Sequence, residues 1–286
     1  MKIHPLPFEK ADEEVKNNYL QIISALNLTN LPIFFQYFGN FPEYLNYITK
    51  QIVANLQNEK FNFLVKESAS QLKKLIKESF IKTDEIKSWL QRYRYTPQFY
   101  NFQNSLQEIF LINFKLTLIF LALRESIKGW AIAAKKIPAT ANQSLNKDDY
   151  TKQEKRVVFK ETESEILNIL TSKKNSLSFS GKNTFLEKNN QNSLEINFFI
   201  DYLKLCKGEF FLLGRQEKYF LFRVQVEKFI INSLSLMPEL IFSPINVVLP
   251  LISRFDNYPD FLYLLTEHFP QLIIQKLLFS GYLLIE

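Results

Sequence analysis

Six glycines in 286 residues leave this chain few places to turn tightly. That scarcity argues against folds built on many short strands and against glycine-rich phosphate loops, and it favours long helices. The apolar spacing agrees. Val15, Tyr19, Ile22, Ile23 and Leu26 recur at helical intervals within residues 8–27, as do Leu45, Ile48, Ile52 and Leu56 further on. Residues 61–79 continue the pattern with Leu64, Leu72, Leu75 and Ile76. At 47% hydrophobic residues, with 28 Phe and 13 Tyr, the chain can bury the core of one large or two ordinary domains. The expected fold class is all-α.

Helix boundaries are written in proline, threonine and aspartate. Leu31-Pro32 opens a short segment, and Ile33 to Tyr37 reads as helix because no hairpin chemistry surrounds it. Phe41-Pro42-Glu43-Tyr44-Leu45 starts another helix. Thr83 or Asp84 caps a helix running to about Tyr93, and Thr96-Pro97 breaks it. Residues 104–134 form the most apolar stretch of the first half. Its longest run, Ile109 to Leu123, is interrupted by Asn113 and Lys115, which predicts a buried central helix and not a membrane span. Residues 136–154 read as a linker, and residues 155–171 as a helix with Thr162 and Glu165 at capping-box spacing. Ser172 to Ser193, rich in Ser, Asn, Lys and Gly, reads as a mobile loop. Pro238, Pro244, Pro250, Pro259 and Pro270 are expected to set helix starts and stops, and the apolar segment Pro270 to Leu284 must be covered by protein.

The two halves echo one another. Phe8 to Val15 aligns with Phe159 to Ile166, Leu31 to Phe38 with Ile196 to Leu203, and Gln57 to Phe61 with Arg215 to Tyr219. The order is kept while the offset drifts, as insertions between packed elements would cause. The expected organisation is a first helical repeat at 1–135, the linker, and a second repeat at 155–286, packed as an intramolecular pseudo-dimer. A small-molecule site would then fall most naturally at the seam.

Several chemistries lack their residues. A net charge of +6 is spread through mixed Lys and Glu, and the densest basic cluster, Lys173, Lys174 and Lys182 to Lys188, is too sparse for a nucleic-acid footprint. The single cysteine, Cys206, sits among apolar residues and reads as a buried structural thiol in a reducing compartment. His4 and His268 are isolated, so no two-histidine metal site forms within one element, and His268 reads as a partly buried helix residue. No nucleophile elbow and no dinucleotide fingerprint is present, and Ser180-Gly181-Lys182 has only the ending of a phosphate loop. No metal or cofactor is expected. Charged residues follow Met1 to Pro5 at once, unlike a secretory signal, so a cytoplasmic location is expected. Homo-oligomerisation is left open.

One polar pattern remains: the asparagines of Tyr100-Asn101-Phe102-Gln103-Asn104, which either cap a helix or point an amide into a cavity. This segment resembles the Phe-Asn-Tyr-Gly-Asn of the group I 2-haloacid dehalogenases, also called the DehI type, an all-helical family acting on both enantiomers of 2-halocarboxylic acids. Leu31-Pro32-Ile33 and Phe41-Pro42-Glu43-Tyr44-Leu45 resemble that family's Val-Pro-aromatic and Phe-Pro-x-Tyr-Leu segments, at shorter spacing, and Thr83-Asp84-Glu85-Ile86 resembles its short acidic helix start. The resemblance runs from about Phe8 to the C-terminus and includes the internal duplication.

The resemblance implies direct displacement. A carboxylate takes a proton from water, the water attacks the carbon bearing the halogen, and no ester to the protein forms. Asn104 matches the asparagine that positions the water. The resemblance implies a pocket wall of Ile33, Phe34, Ile196 and Phe198, with Ile33 standing where the family carries an aromatic and changing that wall. The family's Ser-Asp-Phe segment corresponds to Ile196-Asn197-Phe198, so Asn197 stands where the catalytic aspartate is expected. An amide oxygen cannot accept the proton. Asp201, four residues on and on the same helical face, is the candidate replacement base. Two readings follow: hydrolysis of a small 2-halocarboxylic acid through Asn104, Asn197 and Asp201, or a non-catalytic protein of the same fold that binds a small acid or apolar ligand.

Overall fold

A computed structural model describes residues 3–135 and 188–286, with side chains through residue 128 and from residue 199. Every regular element among the described residues is helical, so the all-α expectation holds. A 3₁₀ turn at Phe8–Lys10 precedes α1 (Glu13–Leu26), α2 (Ile33–Phe38), α3 (Pro42–Gln57), α4 (Glu59–Ser79), α5 (Asp84–Tyr93) and α6 (Pro97–Lys135). Then come α7 (Lys188–Leu213), α8 (Glu217–Leu234), α9 (Ile245–Arg254), α10 (Tyr258–Tyr263), a π-helical turn (Leu264–His268) and α11 (Phe269–Leu283).

Local chemistry sets these ends. Asp12 accepts the Val15 N–H at 2.8 Å and caps α1, and Asn27 closes it in the left-handed region, where a short polar side chain is tolerated. Pro32 precedes α2, and Pro42 sits in the first turn of α3. Thr96 caps α6: its hydroxyl accepts the Phe99 N–H at 3.2 Å and donates to Tyr93 O at 2.8 Å. Thr83 precedes α5 but makes no side-chain cap. Its N–H and its hydroxyl each lie 3.0 Å from a carboxylate oxygen of Glu209 and donate to it.

Three expectations shift. Helix α7 begins at Lys188, inside the stretch read as loop; the rest of that stretch, the linker 136–154 and the helix at 155–171 lie outside the described residues. Pro250 lies within α9 and does not end it, and a hydrogen bond toward Asn246 is forgone. In α4 the buried stripe is Phe61, Val65, Ala69, Leu72 and Ile76, with Leu75 exposed: the stripe leads with Phe61 and not with Leu64. Pro259 begins α10 as expected. Pro270 lies one residue into α11, where the wider π turn before it accommodates the missing N–H.

The described residues divide into two compact units. One takes those of Met1–Ser68, Phe114–Leu145 and Glu227–Ile274; the other takes those of Ala69–Asn113, Asn146–Val226 and Gln275–Glu286. In the first unit, Phe120 of α6 meets the rings of Phe34, Phe35 and Phe38 at 5.6, 5.2 and 6.2 Å. Phe34 also meets Phe269 edge-on at 5.3 Å, and Phe41 meets Tyr258 at 5.0 Å. Polar ties hold the extended segment before α9. Asn55 donates to Glu239 O at 2.9 Å, and the Gln51 amide pairs with the Phe242 backbone through both of its ends. The Tyr44 hydroxyl lies 2.9 Å from Ser243 Oγ.

In the second unit, Phe102 of α6 stacks on Phe199 of α7 at 4.4 Å. Phe80 meets Phe222 at 4.9 Å, and Phe210 meets Phe279 at 5.2 Å. Here α11 approaches so closely that it has no room for a Cβ at Gly281: one would lie 2.4 Å from Ile76 Cδ1 and 3.0 Å from Phe110 Cε2. Gly281→Ala therefore overpacks the unit and is expected to lower its unfolding free energy by about 1–3 kcal/mol in urea titration. Adding Ile76→Val, which deletes the colliding methyl, is expected to recover part of that loss. Equal stability of Gly281→Ala and the parent chain would refute the close contact.

Candidate functional site

The residues assigned to chemistry fall on α6 and α7 in the second unit. The contact that joins these helices is aromatic: Phe102 against Phe199, and Tyr202 edge-on to Phe102 at 5.8 Å. Two residues along a helix turn the side chain by about 200°. Asn104 therefore faces away from the Phe102 contact, and Asp201 away from the Phe199 contact. Burial confirms this. Asn104 is exposed, and the Asp201 side chain is 67% exposed, 3.8 Å from Lys204 Nζ one turn on. Ile196, Asn197 and Phe198 lie within α7, ahead of its described side chains. Ile33 and Phe34 open α2 in the first unit. Phe34 is buried among Phe120 and Phe269, and Ile33 is half-buried.

Two other expectations hold. Cys206 is fully buried, and burial pushes its thiol up to about 11. His268 is half-buried in the π turn. Among the described residues no cluster of three His, Cys, Asp or Glu side chains could hold a metal. The long apolar helix Pro97–Lys128 is long and apolar enough to cross a membrane, yet 72% of its apolar window is buried inside the protein.

Sequence reasoning missed a buried polar tie in the second unit. Lys82, between α4 and α5, is 3% exposed. Its ammonium donates to the Tyr202 hydroxyl at 2.5 Å and to the Ile285 carbonyl, and it lies over the rings of Tyr202 and Tyr282 at 5.0 and 5.6 Å. Tyr202 in turn donates to Leu283 O at 2.7 Å. The lysine thus ties the start of α5, the middle of α7 and the last residues of the chain together. Its only sequence signal is weak: a cation behind Phe80-Ile81, with acceptors 120 and 203 residues away.

No family model matches this chain, and no curated protein sequence does. Two solved structures do match its fold. One is the complex of a D-2-haloacid dehalogenase mutant with D-2-CPA, at a TM-score of 0.62 and 12% identity, covering 99% of this chain and 94% of the other. The second is the complex of D-2-haloacid dehalogenase with L-LA, at the same TM-score and identity, covering 99% and 95%. The chain has a haloacid-dehalogenase-like fold.

The buried tie gives the second unit a pH signature. Burial lowers Lys82 from 10.5 to about 8, offset in part by Cys206, Glu209 and Glu286. Above pH 8 the folded chain gives up this proton while the unfolded chain keeps it to about 10.5, so stability rises with pH through that window, by up to about 3 kcal/mol. In the first unit Lys115, lowered by burial and by Lys66, acts with the same sign. Cys206 opposes them above pH 9, because the unfolded thiol ionises while the buried one does not. Tyr202, Tyr219 and Tyr282, all raised by burial, oppose Lys82 above pH 10. Urea midpoints are therefore expected to rise from pH 8 to 9 and then flatten. Lys82→Met should remove most of the rise, and Cys206→Ala should extend it toward pH 10. A parent chain with no rise would show that Lys82 is not held as a buried cation.

Proposed function

We propose that this chain acts on a small 2-substituted carboxylic acid through its haloacid-dehalogenase-like fold. What supports the reading is the fold likeness over 99% of the chain, to structures whose protein is a D-2-haloacid dehalogenase in complex with D-2-CPA or L-LA. The internal repeat, at 1–135 and 155–286, belongs to this proposal, as do a cytoplasmic setting and membership of the group I family.

In the hydrolytic form of the proposal, Asn104 orients a water, Asp201 takes its proton, and Asn197 holds the water or the substrate carboxylate. Ile196 and Phe198 supply the apolar wall, whereas Phe34 is packed against Phe120 and Phe269 in the first unit. Water attacks C2, the halide leaves with the bonding pair, and configuration inverts. A general base contributes about 10²–10⁴-fold to such a step.

One observation favours a second form, binding without hydrolysis. The Asp201 carboxylate is 67% exposed beside Lys204, whereas a base must be held against its water away from bulk solvent. With an amide at position 197, no carboxylate then stands at the expected place.

The test is halide release from D- and L-2-chloropropionate and 2-bromopropionate, paired with calorimetric binding of the same acids. Release that Asp201→Asn lowers by at least about 100-fold supports the hydrolytic form. Release unchanged in that variant removes Asp201 as base. Binding without release supports the second form, and neither binding nor release from folded protein overturns the proposal.

A further inference from the structure

The turn between α7 and α8 carries apolar side chains on the outside as well as the inside. Tyr219, Phe222 and Val226 point inward and are buried. On the outer side, Phe211 and Leu212 end α7, and Phe220, Leu221 and Val224 open α8, all 44–60% exposed. The Leu213–Lys218 turn shares a cavity of about 160 Å³ with Ile81, which is 73% exposed and extends the apolar surface toward α5. An open groove of about 490 Å³ runs beside Lys218 and Leu221.

Cations are set among these side chains. The Arg215 guanidinium lies 4.5 Å from the Phe211 ring centroid, and that of Arg223 lies 5.9 Å from the Phe220 centroid. Among the described residues, neither they nor Lys218 has a carboxylate within salt-bridge distance, although Glu217 shares the turn. Neutral apolar surface alone would suit any hydrophobic partner. Apolar side chains interleaved with the exposed cations Arg215 and Lys218 and the half-buried Arg223 suit one chemistry better: an anionic bilayer surface, where rings and aliphatic groups enter the headgroup boundary and the cations meet phosphates.

We propose that this helical hairpin tip, with Ile81 beside it, docks on anionic lipid surfaces. The chain would lie against the membrane and not span it. The docking face is separate from the residues assigned to substrate chemistry, so the proposal does not depend on the chain's reaction.

The test is co-sedimentation of the full chain with vesicles of phosphatidylcholine alone and of phosphatidylcholine mixed with phosphatidylglycerol. Partitioning is expected to be at least about tenfold stronger on the mixed vesicles and to fall with added salt. Two variants divide the contributions, and neither changes a buried residue, so their circular dichroism should match the parent chain. Leu212→Ser with Leu221→Ser should abolish binding. Arg215→Gln with Lys218→Gln and Arg223→Gln should erase the preference for the anionic vesicles. Equal partitioning on both vesicle types, or none, overturns the proposal. So does a dimer, seen by sedimentation velocity, that the leucine variant dissociates while vesicle binding is absent: a second copy would then cover the tip.

Discussion

Everything in this fold depends on covering a helix that is buried on every side from Leu116 to Leu123. Along α6, Phe102, Leu106, Ile109, Phe110 and Phe114 are followed by Leu116, Leu118, Ile119, Phe120, Leu121 and Leu123, all buried. Four consecutive residues, Leu118 to Leu121, point in directions about 100° apart, so no single neighbour can shield them. In the first unit the cover comes from the Phe34, Phe35 and Phe38 rings of α2 and from Phe269. In the second it comes from Phe199 and Tyr202 of α7 around Phe102, and from the bare backbone of Gly281 against Phe110. Aromatic rings supply much of that cover, and at Gly281, where α11 comes close to Ile76 and Phe110, the side chain has to vanish.

That constraint also decides what could be read from the chain. Helix starts at Pro42 and Asp84 were legible because they depend on residues within four positions, whereas Thr96-Pro97, read only as a break, also starts α6 ahead of the 104–134 stretch. The burial of the Ile109–Leu123 run was legible because its polar residues are too few for a solvated face. The stripe of α4 was not, since Phe61, Leu64, Leu72 and Leu75 offer two overlapping apolar faces and only the neighbours choose between them. Pro250 was misread for a related reason: α9 is a short helix whose outer side, at Ile245 and Leu249, faces solvent, so a lost backbone bond there costs little. Lys82 was illegible in principle. Nothing near it in sequence distinguishes it from the surface lysines; its burial follows from acceptors at Tyr202 and Ile285 that only the folded chain brings close.

The polar tie at Lys82 and the aromatic cover around α6 meet at one residue. Tyr202 presents its ring to Phe102 and Phe99 at 5.8 and 6.4 Å, and its hydroxyl to Lys82 and to Leu283 O. Its apolar face completes the cover, while its polar end lets the chain terminus and the α5 entry share one hydrogen-bonded chain. A phenylalanine would keep the first role and leave the ammonium with one acceptor fewer. That is why a tyrosine serves where the neighbouring positions use phenylalanine.

Fold and chemistry place different demands on this sequence. The fold needs covered helices, which many combinations of Phe, Leu and Ile satisfy, and a likeness at 12% identity over 99% of the chain shows how loosely that demand constrains individual residues. Water activation has no such latitude, because it needs an ionised carboxylate held within hydrogen-bond reach of one atom. Position 197 carries an amide, and the carboxylate four residues later stands in solvent beside Lys204. A likeness of fold at this identity therefore leaves the groups that would carry a reaction unconstrained. Asn104 and Asp201 face away from the Phe102–Phe199 contact, so packing neither fixes nor protects them.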